Sequence, residues 1–182
     1  MKVVETSIPD VKVIEPRVFG DERGYFMETF RQDWFKKYVA DVEFIQDNHS
    51  KSKHGILRGL HYQLEHTQGK LVRVTSGEVY DVAVDMRKSS ATFGKCVGML
   101  LSAENKRQLW VPAGFAHGFY VTSDFAEFCY RCTDYYHPES EVSIRYDDPT
   151  IGINWPLLNG EAPSLSAKDE DGLDFTSAPA FK

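Results

Sequence analysis

Between Ile56 and Arg145 the chain is a succession of short alternating or β-branched apolar runs, each interrupted by Gly, Pro, Asn or Asp. Such runs are too short for helices with a continuous apolar face. Their period of two suits strands, so the fold class is all-β, a sandwich or barrel. Lys70–Val74 and Glu78–Asp85, separated by Thr75-Ser76-Gly77, read as a hairpin. Val97–Leu101, Gln108–Pro112, Gly118–Thr122 and Ala126–Thr133 continue the series, giving at least seven strands in this stretch. Phe30 to Val39 breaks the pattern. There Phe30, Trp34, Phe35 and Tyr38 recur at helical spacing, which predicts one short amphipathic helix packed on the core. From Asn154 onward Pro, Gly, Asp and Ser accumulate, so loops are expected to wrap the barrel, with residues from about 159 to 182 ending as a loose tail.

The 182 residues are enough for one substantial core, and a single domain over 1–182 is expected. A net charge of -6, with Lys and Arg scattered singly, argues against a nucleic-acid footprint but leaves room for a small anionic ligand. No apolar stretch reaches the length of a signal peptide core or a membrane span, so a soluble, cytoplasmic protein without membrane contacts is expected. Cys96, Cys129 and Cys132 are an odd number without an export signal, which predicts free thiols. Cys129 and Cys132 have CxxC spacing. On a strand, however, residues three apart point to opposite faces, so the pair reads as packing rather than a zinc or redox site.

Pro112-Ala113-Gly114-Phe115-Ala116-His117-Gly118 is a rigid turn feeding a strand and resembles the second half of the cupin pattern. The upstream element, Gly59-Leu60-His61-Tyr62-Gln63, supplies one His where a metal-binding cupin needs two. The His-rich metal set is therefore incomplete, and no metal is expected.

Polar residues stand inside several β-like segments: Gly20–Glu28, Gln46–Ser50, Leu57–Gln63 and Gln68–Leu71. With Glu104–Trp110, Phe115–Phe119 and Leu165–Asp169, they closely resemble the dTDP-4-dehydrorhamnose 3,5-epimerase family, in order, from about Ile8 to Asp169. The resemblance implies a cupin-type jelly-roll β-barrel with one or a few short peripheral helices. It also implies a homodimer without metal or organic cofactor, acting on a dTDP-4-keto-6-deoxy sugar by proton abstraction beside the ketone.

By the same resemblance His61 is the base and Asp169 the group that orients its ring. Tyr130 is the opposite-face acid, and Lys70 lies near the developing charge on O4. The nucleotide end falls to Arg23, Glu28, Gln46, Asn48 and Arg58, the arginines suiting a diphosphate, while His117, Glu141 and Lys168 are further ligand-contacting positions. Phe19 and Phe26 lie in the segment where an aromatic could stack on thymine. Arg58 and His61 are an odd number of residues apart and would face apart on a regular strand, so a bulge at Gly59 is needed to bring both to one pocket. Three other readings compete: an epimerase of C3 or C5 alone or a related ketoisomerase, a non-catalytic nucleotide-sugar-binding cupin, and a metal-dependent cupin oxygenase. The last fails on the missing ligands. Joint presence of His61, Tyr130 and Asp169 favours catalysis over binding alone.

Overall fold

The computed structural model describes residues 1–182. Two antiparallel sheets pack face to face. One has six strands in the order β1 (Lys2–Glu5), β2 (Lys12–Glu15), β10 (Gln108–Val111), β7 (Lys70–Ser76), β12 (Phe125–Cys132) and β5 (Gln46–Lys53). The other has five, β13 (Glu141–Ser143), β6 (Leu57–Gln63), β11 (Phe115–Val121), β8 (Glu78–Asp85) and β9 (Cys96–Ser102). From β5 to β13 the chain changes sheet at every connection except β8 to β9, which is the jelly-roll arrangement of the cupin class. The two sheets stay distinct and do not close into one continuous barrel.

The expected hairpin at Thr75-Ser76-Gly77 is corrected by this topology. β7 has β10 and β12 on its two edges, and β8 has β11 and β9, so the connection carries the chain from one sheet to the other. Gly77 allows the sharp crossing: its φ is +75°, and a Cβ there would lie 1.9 Å from the carbonyl oxygen of Phe125.

Alternation along the strands places Val72, Val74, Leu109, Val111 and Phe128 of the six-stranded sheet against Val79, Ala83, Leu101, Phe115 and Phe119 of the other. Phe119 and Phe128 stack across the gap with ring centroids 4.3 Å apart. A side chain of this size contributes about 1.5–3 kcal/mol when fully buried. A second cluster covers the opposite face of the five-stranded sheet, where Leu60, Tyr62, Val82, Val84 and Ala116 meet Ile151, Phe175 and Ala178. That sheet is thus covered on both faces, and all seven residues of β11 are buried.

The second cluster also corrects the expected loose tail. Phe181 N–H donates to the Met86 carbonyl, Lys88 N–H donates to the Phe181 carbonyl, and the Tyr62 hydroxyl donates to the Pro179 carbonyl. Phe175 and Ala178 are buried, so the last residues are a docked cover. The predicted helix is present as α1 (Gln32–Tyr38). Its Phe35 is buried against Ile14, Leu71 and Trp110. A short helix, α2 (Ala167–Glu170), lies against β6. The hairpin of β3 (Val18–Asp21) and β4 (Gly24–Met27) pairs with neither sheet.

Candidate active site

Toward one end of the space between the sheets, the inward positions turn from apolar to polar. Gln46 and Asn48 of β5, Lys70 of β7 and Tyr130 of β12 come from one sheet, and His61 of β6, His117 of β11 and Glu141 of β13 come from the other. They line two adjoining cavities of about 260 Å³ and 240 Å³ that share His61, Lys70 and Tyr130. Arg58, Lys168 and Asp169 also line the first, together with Phe119 and Phe128.

The β6 strand bulges as the sequence requires. His61 pairs with His117 and Arg58 with Phe119, so two residues of β6 oppose one of β11 between these points. Gly59 has φ +113°, and a Cβ there would sit 2.5 Å from the Cα of Gly118. The two glycines let the backbones touch, and the extra residue turns Arg58 and His61 into the same cavity.

His61 is the most constrained group. Its Nε2 lies 2.5 Å from Oδ1 of Asp169, which is buried and also accepts from the Ser166 hydroxyl at 2.7 Å and from Gly59 N–H at 3.3 Å. Ser166 is the N-cap of α2, so a local helix-start motif fixes the carboxylate that fixes the imidazole. Burial works to raise the Asp169 carboxyl, but the hydrogen bonds from His61 and Ser166 outweigh it and hold the pKa below the usual range. An ionised Asp169 can only accept. Nε2 therefore carries the proton, and the Nδ1 lone pair is left on the side of Glu141, whose Oε1 is 4.0 Å away.

Across the cavity, burial pushes the Tyr130 phenol up, so it stays protonated at neutral pH. Desolvation pushes the Lys70 ammonium below its ordinary value, and a negative charge forming beside it would relieve that penalty. Glu141 is half-buried: burial works to raise it, but hydrogen bonds from Lys168 and from the Tyr136 hydroxyl at 2.8 Å hold it below the usual carboxylate range. The Arg58 guanidinium donates to the Ser52 hydroxyl at 2.9 Å. Gln46 Nε2 donates to Asn48 Oδ1 at 3.2 Å, and Asn48 in turn faces the thiol of Cys132.

Two expected residues are not brought to this cavity. Arg23 lies on the isolated hairpin, exposed and paired with Asp21 at 2.5 Å, and Glu28 just beyond it lies 3.9 Å from Arg31. Phe19 and Phe26 face each other across the same hairpin, 50% and 70% exposed. The CxxC pair splits as expected: Cys132 is buried on the inward face, while Cys129 lines a separate cavity beside Arg73. No three His, Cys, Asp or Glu side chains are placed to hold a metal ion.

Sequence reasoning missed Asp81, Tyr136, Gln63 and Ser166. Asp81 is fully buried, and both its oxygens lie 3.0 Å from Nε2 of His117. Its signal was a carboxylate in phase with the apolar Val79 and Ala83, on the core side of β8. Gln63 is buried and pins the segment carrying Tyr136: its Nε2 donates to the Tyr135 carbonyl at 3.2 Å and its Oε1 accepts from His137 N–H at 3.2 Å.

A proton donor and a desolvated lysine on one wall and a carboxylate-backed imidazole on the other are the parts for enolisation beside a ketone. The fold and site together define a cupin-class jelly roll built for proton transfer. The sequence profile of dTDP-4-dehydrorhamnose 3,5-epimerases matches residues 5–177, and the chain belongs to that family. It is 60% identical to the dTDP-4-dehydrorhamnose 3,5-epimerase of Shigella flexneri, over 100% of this chain and 99% of the relative. It is 59% identical to the Neisseria gonorrhoeae enzyme of the same name over 98% of this chain, which spans 54% of that longer relative. The fold matches a dTDP-6-deoxy-D-glucose-3,5-epimerase of Legionella pneumophila, solved in complex with dTDP-4-keto-L-rhamnose, with a TM-score of 0.95 and 54% identity over 98% of this chain and 94% of the other.

Proposed function

We propose that this chain is a dTDP-4-dehydrorhamnose 3,5-epimerase that converts dTDP-4-dehydro-6-deoxy-D-glucose to dTDP-4-dehydro-L-rhamnose. The observation that carries the reading is the convergence of His61, backed by Asp169, with Tyr130 and Lys70 on one cavity from opposite sheets. His61 Nδ1 takes the proton from the carbon beside the ketone. The electron pair moves to O4, where Lys70 offsets the charge, and the Tyr130 hydroxyl returns a proton to the other face. The same set serves C3 and C5 in turn. Arg58, Gln46, Asn48, His117, Lys168 and Glu141 are the groups available to hold the nucleotide and sugar. A proton moved beside an existing ketone needs no hydride acceptor, so the chemistry asks for no organic cofactor.

The exposed Val18, Phe19, Tyr25 and Phe26 on the hairpin support a homodimer, in which Arg23 and Glu28 would serve the neighbouring cavity. Free thiols at all three cysteines support a reducing, cytoplasmic setting. No helix is long and apolar enough to cross a membrane.

The test is incubation with dTDP-4-keto-6-deoxyglucose in deuterated water, read by NMR. Deuterium and inversion at both carbons are expected. Exchange at one carbon would reduce the protein to a single-centre epimerase, and no exchange at either would leave a nucleotide-sugar binder.

A further inference from the structure

The proposed reaction makes two inversions with one base and one acid. After the first, His61 holds the abstracted proton and Tyr130 is a phenolate, so neither can serve the second carbon until both are reset. We propose that Glu141 performs this reset, carrying the proton from His61 back to Tyr130 while the sugar stays bound. This inference rests on the epimerase reading above.

Of the two cavities that share His61, Lys70 and Tyr130, the second has Glu141 as its one lining carboxylate, and the first has Asp169. The two oxygens of Glu141 have different surroundings. Oε2 accepts from the Tyr136 hydroxyl and from Lys168, which anchor the side chain, while Oε1 faces Nδ1 of His61 at 4.0 Å, a separation short enough for one water to bridge. Asp169 cannot take this role, because it sits behind the ring on Nε2 and has no access to the nitrogen that faces the sugar. Asp81 is occupied by His117.

The balance closes. The C–H bond breaks toward Nδ1, and the enolate takes the O–H proton of Tyr130 at carbon. The imidazolium N–H then passes its proton to Glu141 Oε1, and the resulting carboxylic acid gives it to the phenolate oxygen. Base, acid and carboxylate all return to their starting forms. A carboxyl held below its ordinary pKa keeps the proton only briefly, which suits a carrier.

The test uses the full-length Glu141→Gln protein. Because Glu141 also lines the site, both rates should fall, but steady-state turnover should fall about tenfold or more beyond the loss in first-carbon exchange, measured in a single turnover with enzyme in excess. Singly inverted sugar should be released. Added formate, at fixed pH and ionic strength, should restore turnover in proportion to its concentration, a response that a merely structural defect would not give. Glu141→Asp keeps the carboxylate one methylene back and should show a smaller loss with the same formate response; it serves as the test if the Gln protein does not fold. Equal loss of first exchange and turnover without formate rescue would overturn the proposal, as would wild-type turnover by Glu141→Gln. A wild-type protein that exchanges neither carbon would instead overturn the epimerase reading, and the relay with it.

Discussion

His61 and Asp169 are separated by 108 positions in the chain, yet Nε2 of one lies 2.5 Å from Oδ1 of the other. Strand β6 presents the ring and helix α2 presents the carboxylate. The contact leaves His61 one free nitrogen and one orientation.

Removing the proposed base by His61→Ala should lower turnover by about two orders of magnitude or more, with dTDP affinity by calorimetry little changed. Asp169→Asn should fold normally and turn over slowly, because a neutral amide no longer fixes the tautomer. Wild-type rates in either protein would remove that residue from the chemistry.

Tyr130→Phe deletes the proposed opposite-face donor while leaving His61 and Lys70 in place for deprotonation. In deuterated water, substrate exchange should persist and inversion should fall much further. A common loss factor for both would make Tyr130 an orienting group instead.

Activity should survive exhaustive chelation, since Lys70 supplies the positive charge at O4 in the proposed step. Loss on chelation, restored by one added metal, would refute this.

Asp85 is fully buried and accepts hydrogen bonds from Arg87, Ser90 and Thr92. Burial works to raise its carboxyl, but these bonds outweigh it and hold the pKa well below the usual range. A carboxyl depressed on folding contributes stability above its unfolded value, and that contribution is lost as pH falls toward the folded one. Asp85→Asn should therefore cost about 3 kcal/mol at neutral pH. Its denaturant midpoint should also change less than that of the wild type as pH falls below about 4. Parallel pH curves for the two proteins would contradict this.

Gly59→Ala places a Cβ 2.5 Å from the Gly118 Cα at a backbone φ of +113°. The bulge must shift, and a cost of about 1–3 kcal/mol is expected from the backbone strain alone. Thermal unfolding should register the loss, and turnover should fall further than stability because Arg58 and His61 depend on the bulge.

The strand series after Ile56 was legible because alternation is a local signal, and so was the need for a bulge at Gly59. Pairing was not. Thr75-Ser76-Gly77 has hairpin composition, but which strands flank β7 and β8 depends on residues far along the chain, including Phe125, whose carbonyl crowds Gly77. The C-terminal cover was illegible because Phe175 and Phe181 are isolated aromatics in a polar context, and their burial depends on a sheet face with no partner in sequence. Within the site, motif residues on inward positions of the two sheets converge as read. Arg23 and Glu28 do not, because the hairpin that carries Arg23 and ends just before Glu28 belongs to neither sheet. Asp81 escaped notice because an aspartate in a strand reads as a solvent-facing residue until its histidine is in view.

The proposed base, His61, rides on one sheet and the proposed acid, Tyr130, on the other, so their separation follows the thickness of the hydrocarbon packed between. Phe119 and Phe128, stacked at 4.3 Å, act as a spacer gauge for the chemistry. Both rings also line the cavity, and Phe128 packs on Tyr130 with ring centroids 6.0 Å apart, so trimming or enlarging the spacer would alter the reach from His61 to Tyr130 and the wall of the site together. In the proposed reaction, how faithfully a proton lost from one face returns to the other would then depend on apolar side chains as well as on His61 and Tyr130.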